Sequence, residues 1–176
     1  FKNQLPWKLK NEMQYFQKLT TGNGNNAVVM GKNTWLSLKD RPLKNRDNII
    51  ISNKMTSTIN LENTYVLHNG DYSEPNIIEW TGMFNYDDIW IIGGESIYNR
   101  LIYSKHIDKI YLTEIDKEFE CDTFFPEIPE NFTLLEQSRK FQEYDISYQF
   151  KIFKNIGSNI NYDVEKELWM GKLGLD

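Results

Sequence analysis

The segment Ile89-Trp90-Ile91-Ile92-Gly93-Gly94-Glu95-Ser96-Ile97-Tyr98 decides the fold class of this chain. Its four apolar residues predict a strand covered on both faces, the glycine pair predicts a tight turn, and the residues that follow begin a helix. Two adjacent glycines let a ligand approach the backbone closely, and free N–H groups at a helix start can bind phosphate. A simple tight turn explains the same pattern, so the ligand site is only a candidate.

A second strand–glycine–helix unit lies upstream in Val28-Val29-Met30-Gly31-Lys32-Asn33-Thr34-Trp35. Lys32 and Thr34 suit a phosphate, although a glycine turn with Thr34 near the helix cap explains them equally well. Strands and helices alternate through the first two thirds of the chain. This order predicts an α/β domain with crossover connections between parallel strands.

Hydrophobic periodicity predicts seven strands and four helices, and we expect one domain over residues 1–154. The tail, 155–176, is expected to be a linker, a terminal helix or the start of another domain. The last strand alternates apolar and polar residues, which is typical of an antiparallel strand near the end of a sheet. The predicted strands are 27–30, 48–52, 64–67, 89–92, 109–115, 132–137 and 146–153, and the predicted helices are 9–20, 34–38, 77–80 and 95–103.

Composition excludes several classes of protein. A hydrophobic fraction of 40% is too high for a disordered chain, and a net charge of −5 disfavours nucleic-acid binding. No apolar run is long enough to span a bilayer, so we expect no membrane association. The single cysteine, Cys121, fits a reducing compartment such as the cytoplasm. One cysteine and two separated histidines make a metal site improbable, so we expect no metal.

The first predicted helix carries a carboxyl group beside an apolar face. Leu9, Met13, Phe16 and Thr20 recur at helical spacing, and Glu12 lies next to that face. Burying a carboxylate there is unfavourable without a partner, tends to raise its pKa and often marks a binding pocket. The alternative is a glutamate at the edge of the face with its carboxylate in water.

A cation cluster follows in Arg41-Pro42-Leu43-Lys44-Asn45-Arg46. An arginine can hold a carboxylate through two parallel hydrogen bonds. A solvated, charged loop is the alternative interpretation of this run.

The order and spacing of these segments resemble those of dihydrofolate reductase, over most of the chain from Asn3 to Phe153. The resemblance implies a mixed, mostly parallel sheet flanked by helices, with an antiparallel C-terminal strand. It also implies NADPH-dependent reduction of 7,8-dihydrofolate to tetrahydrofolate, by hydride transfer to C6 and protonation at N5, and binding of antifolates. The segments that carry it are NQLPW (3–7), Glu12 with Phe16, VMGKNTW (29–35), RPL (41–43) with Arg46, IGGESIY (92–98), YLT (111–113) and DTFFP (122–126).

The resemblance implies a role for each matching residue of the substrate site. Glu12 matches the active-site carboxylate, which would bind the pterin and deliver a proton toward N5 through water. Thr113 matches the threonine that supports it, Trp7 a tryptophan near the pterin, and Leu5 a loop residue that closes over the nicotinamide. The residues implied to bind substrate are Met13, Phe16, Leu43, Ile92, Tyr98 and Arg46, the last through the carboxylate of the glutamate tail.

The resemblance likewise implies a cofactor site. Ser52 and Lys54 match the region that binds the 2′-phosphate of NADPH, although an arginine often found after the serine is Asn53 here. The residues implied to lie along the phosphates are Gly31, Lys32 and Thr34, and those implied beside the nicotinamide and pyrophosphate are Gly93, Gly94, Glu95, Ser96 and Ile97.

The chain departs from the family pattern at its start and its end. Members begin with a central strand before the NQLPW loop, whereas this sequence begins at Phe1, so we expect two unpaired strand edges and hypothesise a fragment of a longer protein. Some relatives are fused to thymidylate synthase through a linker. The tail carries no recognisable motif of that enzyme, so such a fusion and a strand that fills the missing place are both open alternatives for it. A riboflavin-pathway pyrimidine reductase of the same fold and a truncated, non-catalytic nucleotide-binding homologue remain alternative functions.

Overall fold

A mixed β-sheet with helices packed against it forms the centre of the computed structural model, which describes residues 4–55, 59–68, 74–157 and 167–172. No helix in these ranges is both long and apolar enough to cross a bilayer. The helices are α1 Lys10–Thr21, α2 Lys32–Ser37, α3 Glu74–Gly82 and α4 Glu95–Leu101. The strands are β1 Ala27–Gly31, β2 Asp47–Ile51, β3 Thr64–Leu67, β4 Asp88–Ile91, β5 Ile107–Ile115, β6 Phe132–Gln137, β7 Phe141–Glu143, β8 Ile146–Asn155 and β9 Glu167–Lys172.

The strand order within the described residues is β3-β2-β1-β4-β9-β5-β8-β6, with β7 paired to β8. Neighbouring strands from β3 to β5 are parallel, whereas β8 is antiparallel to β5, β6 and β7. Carboxyl ends of parallel strands meet at one edge of a sheet, where ligands bind in open α/β folds. The glycine turns after β1 and β4 therefore lie at the same edge.

Strand β1 shows why the early strands are apolar throughout. Its side chains point alternately to opposite faces of the sheet, and both faces are covered. Val28 and Met30 belong to one buried cluster, whereas Ala27 and Val29 belong to the other. Either face would lose buried apolar area if its residues were polar, so the sequence of β1 has no alternation.

All seven predicted strands and all four predicted helices are present, with bounds shifted by a few residues. The predicted α/β class, with a mostly parallel sheet and an antiparallel C-terminal portion, is confirmed. Strand β7 was missed because it spans only three residues, Phe141–Glu143, which is too short for a pattern of alternation to be recognised.

Strand β9 corrects two expectations about the tail. Residues Glu167–Lys172 form a strand between β4 and β5, parallel to both, where we expected a linker or helix. The expectation of two unpaired strand edges is also wrong, because β9 hydrogen-bonds to each of them. A gap inside a sheet leaves two rows of backbone donors and acceptors, and a strand in that gap satisfies both. Within the tail, Glu167–Lys172 thus takes the alternative in which a strand fills the central position, whereas 158–166 and 173–176 lie outside the described residues.

Candidate active site

Glu12 lies on the first turn of α1 and is buried, with 2% of its surface exposed. Its Oε1 accepts a hydrogen bond of 3.3 Å from the Thr113 hydroxyl on β5. Its Oε2 is also buried, and no residue in the described part of the chain forms a hydrogen bond with it. A buried carboxylate oxygen without a partner is unfavourable, which makes this atom a candidate for a hydrogen bond with a ligand.

The environment of Glu12 raises its pKa from 4.5 to about 7. Burial is the largest cause, because it removes water from the charged form. The hydrogen bond from Thr113 lowers the pKa, and the nearby negative charge of Glu143 raises it. A carboxyl group with this pKa is substantially protonated near neutral pH and can act as an acid.

Trp7 is buried in the loop that precedes α1, and its ring packs against Phe119 with centroids 4.9 Å apart. Its indole Nε1 has no hydrogen-bond partner among the described residues. Leu5, two residues earlier, is 39% exposed. The loop therefore presents a buried, unpartnered N–H close in sequence to the helix that carries Glu12.

An apolar cluster on one face of the sheet includes three predicted substrate-binding residues. Ile92 is buried there, and Phe16 and Leu43 are partly buried against it. Met13 is 59% exposed, so the structure does not bring it into this cluster. The partly exposed edges of Phe16 and Leu43 can pack against a flat aromatic ligand.

Arg46 is 5% exposed, and burial lowers its pKa from the ordinary value. Its Nη1 donates to Thr20 Oγ1 at 2.7 Å, and its Nε donates to the Lys44 carbonyl at 2.9 Å. No carboxylate in the described ranges forms an ion pair with it. A buried guanidinium held in one orientation without a counter-ion suits an external carboxylate.

Two residues that the sequence pattern does not indicate support this cation. Thr20 belongs to the predicted apolar face of α1. Its hydroxyl nevertheless accepts a hydrogen bond from Arg46 and donates one to the Phe16 carbonyl at 2.8 Å. Asn48 is buried in β2, where its side chain bonds both the N–H and the carbonyl of Leu43 at 2.9 Å. Its Nδ2 also donates to the Arg46 carbonyl at 3.0 Å. An asparagine inside an otherwise apolar strand was the available signal, because buried amides need partners.

The two glycine turns meet at the carboxyl edge of the sheet. Gly31 N–H donates to the Gly93 carbonyl at 2.8 Å, and the Gly93–Gly94 peptide bond is cis. A Cβ atom at Gly94 would lie 3.3 Å from Thr34 Oγ1, and one at Gly31 would lie 3.4 Å from Ile97 Cγ1. The absence of side chains at these glycines lets the two turns pack closely against each other and against Thr34 and Ile97.

Gly93 has a φ of +107°, which disfavours any residue with a side chain. A Cβ atom there would also lie 3.1 Å from the Tyr98 ring. Tyr98 is buried on α4, where burial raises its pKa. Its ring forms a T-shaped contact with the ring of Phe125, with the ring centroids 4.8 Å apart. The Gly93 backbone and the Tyr98 ring thus define one wall of the turn, together with buried Ile97.

The remaining predicted cofactor residues differ in exposure. Lys32, Thr34 and Glu95 are partly buried, whereas Ser96 and Lys54 are exposed. Ser52 is buried, and its Oγ accepts hydrogen bonds of 3.2 Å from the backbone N–H groups of Lys54 and Met55. Its hydroxyl oxygen therefore stabilises the turn after β2, which the resemblance did not anticipate.

Comparisons with known proteins agree with this arrangement. The family model described as dihydrofolate reductase matches residues 1–155. The chain is 39% identical over 169 residues to a viral dihydrofolate reductase of Saimiriine herpesvirus 2, with 88% of this chain and 78% of that protein covered. It is 38% identical over 164 residues to dihydrofolate reductase of Heliothis virescens, covering 86% and 88%. It is 34% identical over 164 residues to the Rattus norvegicus enzyme, covering 85% and 87%.

The family match covers most of the chain, and the buried carboxyl group and the paired glycine turns are both present. The chain therefore belongs to the dihydrofolate reductase family and is an NADPH-dependent oxidoreductase that reduces dihydrofolate.

Proposed function

We propose that Glu12 is the group that supplies the proton in the reduction of dihydrofolate. The observation that carries this proposal is a buried carboxyl group with a pKa of about 7, with Oε1 fixed by Thr113 and Oε2 unpartnered among the described residues. A general acid works best when its pKa lies near the working pH. A substantial fraction of Glu12 is protonated at neutral pH. Glu12 orients the pterin through Oε2 and passes its proton toward N5 through water.

We propose that the pterin lies between the NQLPW loop and the end of β4. The buried N–H of Trp7 donates to ordered water or to the ligand, and the carbonyl of Ile92 accepts from the pterin. Leu5 closes over the reacting ring, and the hydroxyl of Tyr98 lies toward the nicotinamide. The supporting observations are the unpartnered Trp7 Nε1, the burial of Ile92 and Tyr98, and the partial exposure of Leu5.

The rest of the substrate extends along the apolar cluster to the buried cation. Phe16 and Leu43 contact the aminobenzoyl ring, Met13 covers it from the exposed side, and Arg46 binds the glutamate carboxylate. The orientation of the Arg46 guanidinium by Thr20 supports this assignment. Members of the family bind dihydrofolate and antifolates, and the same groups would hold either ligand.

The cofactor assignment rests on the two glycine turns. NADPH supplies the hydride that reduces C6 of the pterin when it is bound. Gly31, Lys32 and Thr34 bind its phosphates on one side, and Ser52 with Lys54 binds the 2′-phosphate. On the other side, the residues that line the nicotinamide and pyrophosphate are Gly93, Gly94, Glu95, Ser96 and Ile97.

Replacing Glu12 by Gln tests the proposal, because it keeps the size and the bond from Thr113 but removes the acid. Turnover of dihydrofolate at pH 7 should fall by ~10²-fold or more, the usual contribution of general acid catalysis, while the Kd of NADPH stays within about twofold. Glu120→Gln makes the same charge change at an exposed position and should leave turnover unaltered. Turnover of Glu12→Gln equal to that of the parent chain would remove Glu12 from the mechanism.

We also propose that the protein acts in the cytoplasm and that it is fused to, or associates with, thymidylate synthase. The free thiol of Cys121 supports a reducing compartment. The association rests on the resemblance to fused relatives, and co-purification of thymidylate synthase activity with the native protein tests it. Purification of the reductase activity alone, at the mass of a single domain, would contradict it.

A further inference from the structure

The N-terminus of helix α1 is capped by the side chain of Glu143, which lies on β7. Its N-cap residue, Leu9, has no side chain able to cap, and the Asn11 backbone N–H instead donates to both carboxylate oxygens of Glu143, at 3.2 Å each. The first N–H groups of a helix have no partner within the helix, and a negative charge near them is favourable. Glu143 on β7 thus satisfies the helix directly beside Glu12, across 132 residues of sequence.

The carboxylate of Glu143 is held from a second side. The hydroxyl of Tyr148, which is buried on β8, donates to Glu143 Oε2 at 3.2 Å. The pKa of Tyr148 is raised, first by burial and then by the charge of Glu143, with a further contribution from Glu12. Glu143, Tyr148 and Glu12 therefore interact in one group of side chains at the start of α1.

Elements on three sides supply the groups that face Glu12. Thr113 comes from β5 and donates a hydrogen bond, Glu143 comes from β7 with a negative charge, and Tyr148 comes from β8 with a phenol that stays neutral. The hydrogen bond favours the ionised form of Glu12, whereas the charge of Glu143 favours the protonated form. The pKa of Glu12 therefore depends on both groups, with burial as the larger cause.

We propose that Glu143 is a positioning residue for the reduction, which holds the first turn of α1 and presents a second negative charge to the carboxyl group of Glu12. This inference rests on the role proposed for Glu12. Glu143 is not among the residues proposed to contact the substrate or the cofactor. It acts by fixing the backbone next to Glu12 and by disfavouring a second charge nearby, so that a larger fraction of the acid is protonated at a given pH.

Glu143→Gln separates the two effects, because the amide oxygen still accepts the Asn11 N–H while the charge is gone. The pKa seen in the pH profile of hydride transfer should fall by about half a pH unit, the size expected for a partly solvated charge pair. Above that pKa the rate should be about threefold lower than in the parent chain. Glu143→Asp keeps the charge and should stay nearer to the parent profile than Gln, and Glu120→Gln should not shift it.

A readout independent of turnover is the titration of the Glu12 carboxyl carbon by ¹³C NMR in the full chain. The inference predicts the same downward shift in Glu143→Gln, with circular dichroism unchanged. A Glu12 titration that is identical in the parent chain, Glu143→Gln and Glu143→Asp would overturn it. Full turnover in Glu12→Gln together with a shifted titration would instead contradict the proposed role of Glu12, so the two failures are distinguishable.

Discussion

The hydroxyl of Thr113 on β5 donates to Glu12 Oε1 on α1 at 3.3 Å, joining residues 101 positions apart in the sequence. This contact connects the first helix to the strand beside the centre of the sheet. It also lowers a pKa that burial raises, so the acidity of Glu12 depends on a balance between the two.

Thr113→Val should raise the pKa of Glu12, because it removes the hydrogen bond that favours the ionised form. We expect the break in the pH–rate profile to move upward by roughly half a unit or more, the scale of one hydrogen bond to a charged group. The matched control is Thr133→Val at an exposed position of β6, which should leave the break in place. A downward movement, or none, would contradict the proposed effect of Thr113.

Glu12→Gln should change the pH dependence of stability. The pKa of Glu12 is raised on folding from 4.5 to about 7, so its contribution to stability is fully present below pH 4.5 and is lost as the pH rises through 7. The glutamine side chain of the variant does not ionise, so the variant does not lose this stability as the pH rises. Its free energy of unfolding relative to the parent chain should therefore improve by on the order of 2 kcal/mol between pH 5 and pH 8.

Urea unfolding of both proteins at the two pH values measures this difference. Equal slopes of the unfolding free energy against urea concentration would show that both expose the same surface on unfolding. A difference between variant and parent that does not change with pH would show that Glu12 titrates normally in the folded chain.

Gly93→Ala should weaken NADPH binding. Alanine is strained at a φ of +107°, and its Cβ would lie 3.1 Å from the Tyr98 ring, so the turn and the ring must move. We expect the Kd of NADPH, measured by fluorescence, to rise by about tenfold or more. Gly82→Ala at the end of α3 is the control, because a Cβ atom there has open space and should leave the Kd unchanged. Equal affinities in the two variants would exclude the Gly93 turn from the cofactor site.

Met170→Pro should destabilise the protein through β9. This strand pairs with β4 and β5 on both sides, and proline removes a backbone donor that a central strand needs. We expect the free energy of unfolding to fall by about 2 kcal/mol or more relative to Met170→Val, which keeps the donor and favours a strand. Identical unfolding curves for the two variants would contradict the central position of β9.

The parallel part of the sheet was predictable because its strands are covered on both faces and end in glycine turns. In β1 and β4, uninterrupted apolar residues followed by Gly31 or Gly93 indicate both the strand and its end. The position of β9 was less predictable, since the tail pattern is weak and pairing with β4 and β5 is a long-range property. No local pattern in Glu167–Lys172 indicates which strands it pairs with.

In the candidate site, too, some residues are indicated by a local sequence pattern and others only by long-range contacts. Glu12 was identifiable because a carboxyl group beside an apolar helix face conflicts with local preference. Glu143 carried no such signal, since an acidic residue in a short, partly exposed strand is ordinary and its partner Asn11 lies 132 positions away. The resemblance supplied Thr113 and Arg46, whereas the contacts of Arg46 with Thr20 and Asn48 required the structure.

The central claim is that a carboxyl group with a pKa near neutrality supplies the proton, and the pH dependence of NADPH oxidation with dihydrofolate tests it most directly. For the parent chain, we expect the rate of hydride transfer to be constant at low pH and to fall about tenfold per pH unit above a break near pH 7. Glu12→Gln should be slow and lack this break. A parent rate that is independent of pH between 6 and 9, or a break that persists in Glu12→Gln, would contradict the claim.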